Sequence, residues 1–182
     1  MRITVIIWAI TLAASIGSAF AEDWPTYMHD NAHSGATQDP LPYPLVEQWV
    51  YRAPAAPQPA WSDPQPGYTE LPKAKFDDAL YTVAVGGRVY FGSSVDNRVY
   101  AFDAATGRTL WTFTAGGPIR LAPTIVNDRV YFGSDDGKVY CLKAADGQTI
   151  WSHVAAGKSR YVLGNRRVIS LWPVRTSVSV ES

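Results

Sequence analysis

Cysteine is nearly missing from this 182-residue chain: Cys141 stands alone, which rules out an intramolecular disulfide framework. An excess of charge of either sign is missing as well. Lys+Arg and Asp+Glu both number 16, and losing Arg2 with an N-terminal leader leaves the remainder about one unit acidic. Nothing therefore steers the chain toward nucleic acid or an anionic membrane surface. The longest apolar run, Ile3 to Gly17, falls short of the roughly 20 residues that a spanning helix needs. The chain also lacks a nucleophile elbow, a phosphate-cradling loop, a zinc-protease pair and a C-x-x-C-H haem site. The only adjacent aspartate pairs are Asp77-Asp78 and Asp135-Asp136, and the second pair lies in a turn sequence.

What the chain has is a repeat. Val89-Tyr90-Phe91-Gly92-Ser93 returns as Val130-Tyr131-Phe132-Gly133-Ser134, and Val99-Tyr100 returns as Val139-Tyr140 after a hairpin that is shorter by one position. Gly107 and Trp111 return as Gly147 and Trp151 in the same register as that second pair. Each copy is a β-branched and aromatic run, a polar turn, a second such run, a Gly-ended turn and a short strand carrying the Trp. Asp135-Asp136-Gly137-Lys138 supplies the φ > 0 positions of a tight hairpin. Ala79 to Val85 and Leu121 to Val126 each read as a further strand ahead of a copy. A period of about 40 in strand-like units is the mark of a propeller blade, a unit that buries its faces only against neighbours. The expected fold is all-β: a partial β-propeller of four-stranded antiparallel blades, two complete and the start of a third.

Ala101-Phe102-Asp103-Ala104-Ala105-Thr106-Gly107-Arg108-Thr109-Leu110-Trp111 fills every fixed position of the pattern A-x-D-x-x-T-G-x-x-x-W. In this the chain resembles the pyrroloquinoline-quinone-like (PQQ-like) propeller repeats. The resemblance implies that Ala101, Asp103, Thr106, Gly107 and Trp111 form a tryptophan-docking unit, the indole packing between blades. The second copy keeps Gly147 and Trp151 but has Cys141, Lys143 and Asp146 at the Ala, Asp and Thr positions. A buried small hydrophobe is the expected role for Cys141.

Taken in order, residues 1–21 read as a signal peptide, with basic Met1-Arg2, the apolar run, and Ala19-Phe20-Ala21 as a small-x-small site cleaved before Glu22. The mature protein is expected outside the cytoplasm, periplasmic or extracellular, with no membrane anchor. No Cys at the cleavage site provides the lipid attachment of assembly-factor lipoproteins that share this propeller. Residues 22–52 form a lead-in. There His29 and His33 stand at a metal-compatible spacing, but Asn31, Ser34 and Gly35 suit a turn and no metal site is assigned. Leu45 to Tyr51 alternates like an edge strand, its Trp49 resembling an outer-strand Trp. Residues 53–75 are a connector holding six of the 13 prolines, with Trp61 and Tyr68 as aromatics that pin it or cover a ligand. The blades are residues 76–115 and 116–156.

Pro118-Ile119-Arg120 recurs as Pro173-Val174-Arg175, well beyond the place that the blade period assigns it, so a stretch of chain is inserted between blade and blade. Residues 157–172 are then a basic loop carrying Lys158, Arg160, Arg166 and Arg167, and 173–182 begin the next blade. Arg120 and Arg175 open two adjacent inner strands at one register, where a guanidinium fork suits an anionic ligand. Rings of the family have seven or eight blades, so the chain reads as a fragment prone to self-association.

Two functions are weighed. One is a non-catalytic binding or scaffolding module that meets a protein partner or small ligand at the propeller face and needs no cofactor. The other is a piece of a quinoprotein alcohol or sugar dehydrogenase using PQQ with calcium. The resemblance tells against the enzyme, because those dehydrogenases carry an adjacent Cys pair that a single Cys141 does not supply.

Overall fold

The computed structural model describes residues 21–41, 43–61, 75–164 and 167–181. Residues 1–20 of the expected leader, Tyr68 and Arg166 lie outside the described residues. Among the described residues ten strands follow in order: β1 Thr82–Val85, β2 Arg88–Gly92, β3 Arg98–Asp103, β4 Thr109–Thr114, β5 Thr124–Val126, β6 Arg129–Gly133, β7 Lys138–Lys143, β8 Thr149–Val154, β9 Tyr161–Gly164 and β10 Arg167–Ser170. They make two four-stranded antiparallel meanders, β1-β2-β3-β4 and β5-β6-β7-β8, and a hairpin of β9 with β10. The two meanders match strand for strand. Ala101 faces Trp111 across β3 and β4 as Cys141 faces Trp151 across β7 and β8, and each pair adjoins a register shift at the following residue. This arrangement is a partial β-propeller.

The turns use the residues that tolerate left-handed backbone. Asn97 closes β2 to β3 at φ 61°, and Gly137 closes β6 to β7 at φ 85°. The main core lies between the sheets. Val83, Tyr90, Val99 and Ala101 of the first sheet meet Ile125, Val130, Phe132, Tyr140 and Leu142 of the second, with Phe113 edge-on to Phe132 and Tyr140. Tyr90 and Phe132 are 1% exposed, and burying each large apolar side chain contributes about 1.5–3 kcal/mol. On its opposite face the first sheet carries Phe91, Tyr100 and Phe102, stacked on one another beneath Trp49, Tyr51 and Leu80.

Three segments differ from the sequence reading. Leu45 to Tyr51 forms no strand, because Trp49 and Tyr51 lie across the face of the first sheet and draw the backbone away from any open edge. The lead-in touches a ladder elsewhere, where Trp24 bridges Ala84 of β1. The basic insertion is not wholly a loop, since β9 and β10 fall within it. Residues 173–181 run without a strand, but they repeat the entry of the preceding blade. The Ile119 amide donates to Ser93 O and the Ile119 side chain lies over Gly92, as the Val174 amide donates to Ser134 O and its side chain lies over Gly133.

Candidate functional site

The charged residues of the loop end converge on one carboxylate. Asp135 follows Gly133-Ser134 at the end of β6, and both Ser134 and Asp135 are fully buried. Arg120 donates from Nε at 2.9 Å and from Nη2 at 2.7 Å to Asp135 Oδ2. Arg175 donates from Nε at 2.9 Å to Oδ1 and from Nη2 at 3.0 Å to Oδ2. Arg120 also reaches Asp77 and the Gln58 carbonyl, the latter at 2.7 Å. The Trp61 ring lies 4.8 Å from the Arg175 guanidinium carbon, a cation–π contact. Two arginines and two aspartates thus balance in a site where Arg120 is 7% exposed and Asp77 1%. The other oxygen of Asp77, Oδ1, is buried without a hydrogen-bond partner among the described residues.

The register argument for Arg120 and Arg175 thus brings the two side chains together, on a carboxylate of the chain itself. Asp135 is the residue that sequence reasoning missed, because its Asp-Gly neighbourhood has the look of turn chemistry. Asp136 alone serves that turn, accepting from the Lys138 amide and from the Tyr140 hydroxyl. Burial and the Asp136 carboxylate push the Tyr140 hydroxyl well above the usual tyrosine range. A signal for Asp135 was present: the otherwise matching repeat has Ser94 at its place.

Above this cluster lies the β9–β10 hairpin. Arg167 donates to Ser94 O at 2.8 Å, to Asn97 Oδ1 and Val95 O at 3.1 Å, and to Gln58 Oε1. The Ser170 amide donates to Asp135 O at 2.7 Å. The hairpin is fixed to both sheets, yet it exposes Tyr161 by 54%, Leu163 by 79% and Val168 by 66%.

The tryptophans occupy a second region, at the outer strands. Trp111 Nε1 donates to Ala144 O at 2.9 Å, and a Cβ on Gly147 would stand 2.6 Å from its ring. Trp49 Nε1 donates to Ala104 O at 2.8 Å, and a Cβ on Gly107 would stand 2.6 Å from that ring. Asp103 shapes the first of these turns by accepting from the Thr106 amide at 2.9 Å and its hydroxyl at 2.7 Å, and the Thr106 contacts hold its pKa below the usual value. The second turn forms with Lys143 and Asp146 in place of that Asp and Thr, the Gly147 amide donating to Lys143 O and the Gln148 amide to Asp146 Oδ1. Cys141 is fully buried, and that burial raises its thiol pKa.

His29 and His33 do not meet. The intervening turn puts Met28, His29 and His33 at positive φ, with His29 between Glu22 and Asp30 and His33 edge-on to Tyr27. Among the described residues no three His, Cys, Asp or Glu side chains are placed to hold a metal ion.

A family model described as outer membrane protein assembly factor BamB matches residues 47–172. No curated protein matches the chain. Among solved structures, the chain is similar to BamB from Moraxella catarrhalis at 23% identity and TM-score 0.36, covering 38% of this chain and 20% of that one. A quinohemoprotein alcohol dehydrogenase from Comamonas testosteroni matches at 19% identity and TM-score 0.46, over 76% of this chain and 20% of that one. Quinohemoprotein alcohol dehydrogenase ADHIIG from Pseudomonas putida HK5 matches at 30% identity and TM-score 0.36, over 39% and 12%. The chain spans a fifth or less of the length of each of these three structures.

Proposed function

The chain belongs to the PQQ-like repeat family that the outer membrane protein assembly factor BamB model describes, and we propose that it is an exported, non-catalytic binding or scaffolding module. The observation that carries this reading is the β9–β10 hairpin. Its backbone is pinned by Arg167 and Ser170 while its apolar side chains face outward. A recognition surface held rigid before binding loses little conformational entropy on contact, and an exposed apolar patch gains by being covered. The partner is a protein surface that meets the loop end. Export rests on the leader read in residues 1–21.

Arg120 and Arg175 are the groups that would draw an anion to the same face. A carboxylate ligand there competes with Asp135 for their forks. In the belt of outer strands, Trp111 acts as the docking side chain between the two blades with Gly147 as its seat, and Trp151 stands at the same register of the second blade.

The dehydrogenase alternative needs quinone and calcium, and the described residues fit calcium poorly. Both Asp135 oxygens already accept from arginine, and Asp77 Oδ2 accepts from Arg120 and the Ala60 amide, which leaves one free carboxylate oxygen. The test is to incubate the protein with PQQ and calcium, desalt it, and record the quinone absorbance. The non-catalytic reading expects none retained; one equivalent carried through the column would overturn it.

A further inference from the structure

The two indole seats differ in what fills them. The Ala144–Gly147 turn of the second blade receives Trp111, which β4 carries as part of a hydrogen-bonded sheet. The Ala104–Gly107 turn of the first blade receives Trp49, from a segment that belongs to no strand. Trp49 and Tyr51 cover Phe91, Tyr100 and Phe102. In the repeat these three align with Phe132, Tyr140 and Leu142, the face of the second blade that packs on the first. The lead-in therefore stands in for a preceding blade. At Trp49 and Tyr51 it is held by the Trp49 hydrogen bond to Ala104 O and by ring contacts rather than by a ladder.

At the other end of the pair one indole is left over. Trp151 occupies the register of Trp111, is 41% exposed, and has no hydrogen bond to Nε1 among the described residues. Ile150 beside it is also 41% exposed. The face around Trp151 repeats the one that Tyr90, Ala101 and Trp111 present to the second blade, with Tyr131 and Cys141 in the corresponding places. One end of the molecule thus carries an indole without a seat. The other carries a seat whose indole comes from a loosely held strap.

Resting on the docking reading above, we propose that the Trp151 face binds a second copy of this chain by displacing that copy's Trp49 strap and seating Trp151 on its Ala104–Gly107 turn. The exchange conserves the indole-to-carbonyl hydrogen bond, because Trp151 replaces Trp49 on Ala104 O. What it adds is contact between two whole sheet faces, of the kind already made inside the chain between the first blade and the second. What opposes it is the high effective concentration of a strap tethered to its own seat. The strap sets how readily the interface forms, and the Trp151 face sets whether it forms. Such a contact is head-to-tail, so each copy keeps one free end and the assembly closes into a ring or continues as a chain.

Sedimentation velocity on the full chain across a range of concentrations tests this, with the variants Trp49→Ala, Trp151→Ala and the two combined. Removing the strap indole is expected to lower the concentration for half-association at least tenfold. Trp151→Ala, an exposed position, is expected to leave a folded monomer, and the double variant to behave as Trp151→Ala does. A Trp49→Ala protein that associates no more readily than the parent overturns the proposal. So does a double variant that associates as strongly as Trp49→Ala alone, since the uncovered Phe91, Tyr100 and Phe102 face is then merely adhesive. A mixing experiment checks direction. Trp49→Ala/Trp151→Ala offers only a seat and Gly107→Val only an indole, so together they should stop at a one-to-one complex; no complex in the mixture also overturns the proposal. The intramolecular Trp111 seat is probed separately by Gly147→Ala. Loss of stability there with no effect of Trp49 or Trp151 on association removes this proposal while leaving the docking reading in place.

Discussion

Adding one methyl group at Gly147 should cost far more than adding it at Gly157, although the two glycines share a backbone conformation. Gly147 sits at φ +74° and Gly157 at φ +70°, so both substitutions to Ala incur the left-handed penalty of about 1–2 kcal/mol. Around Gly157 nothing lies within 4 Å of the new Cβ, so the cost ends there. At Gly147 the Cβ arrives 2.6 Å from the Trp111 ring, which must move away. Moving it strains or breaks the 2.9 Å bond to Ala144 O, about 1 kcal/mol. It also returns about a third of the indole surface to water, about 1.5 kcal/mol at roughly 25 cal/mol per Å². The difference between the two variants is then about 2.5 kcal/mol, a factor of roughly 60 in the unfolding equilibrium. Urea unfolding read by pulse proteolysis measures it without relying on the perturbed fluorophore. In a Trp111→Ala background the ring is gone, so Gly147→Ala should cost no more than Gly157→Ala. Equal losses for the two glycines in the parent chain would refute the reasoning.

Two further outcomes follow from the loop end. The unfolded tyrosine ionises near pH 10, whereas Tyr140 in the fold keeps its proton to higher pH through burial and Asp136. Its contribution is complete below about pH 10 and declines as pH rises beyond, by up to about 1.4 kcal/mol per pH unit. Tyr140→Phe should flatten the alkaline fall of the melting temperature between about pH 10 and 12, and an unchanged slope would contradict this. Calorimetric titration of citrate into the parent, Arg120→Ala and Arg175→Ala tests the anion reading. Binding weakened at least tenfold in either variant supports it, and equal binding by all three proteins removes both arginines from it.

The meanders were legible because each blade writes its own local rules. Alternating aromatic runs such as Val89-Tyr90-Phe91, turn residues such as Asp136-Gly137, and Trp at a fixed distance from Gly depend on neighbours close by in the chain. The same period exposed the insertion before Pro173, and the contacts of Ile119 and Val174 reproduce that alignment. What stayed hidden is set by distant partners. Residues 45–51 alternate like a strand, but whether Trp49 joins a ladder or lies on a face depends on which surface of the first sheet is open. The strands β9 and β10 sit in a stretch whose charges suggest a solvated loop. Arg167 is instead spent on the Ser94 to Asn97 turn of the first blade, a destination far off in the chain that composition does not encode.

The site also explains why the two repeats differ at the position after Gly-Ser. In the first blade this position is Ser94, whose hydroxyl accepts from the Gln58 amide at 2.8 Å. In the second it is Asp135, which accepts from both arginines. Arg120 joins the two, donating to the Gln58 carbonyl and to Asp135. A single path of hydrogen bonds therefore runs from Ser94 through Gln58, Arg120 and Asp135 to Arg175, tying the connector, both blades and the segment after Trp172 into one polar network. A serine at position 135 could not balance two buried guanidinium groups. The departure from repeat symmetry is what the joining of three chain segments at one face requires. Because buried networks of this kind hold geometry as well as charge, any partner that approaches the loop end meets a surface already fixed before contact.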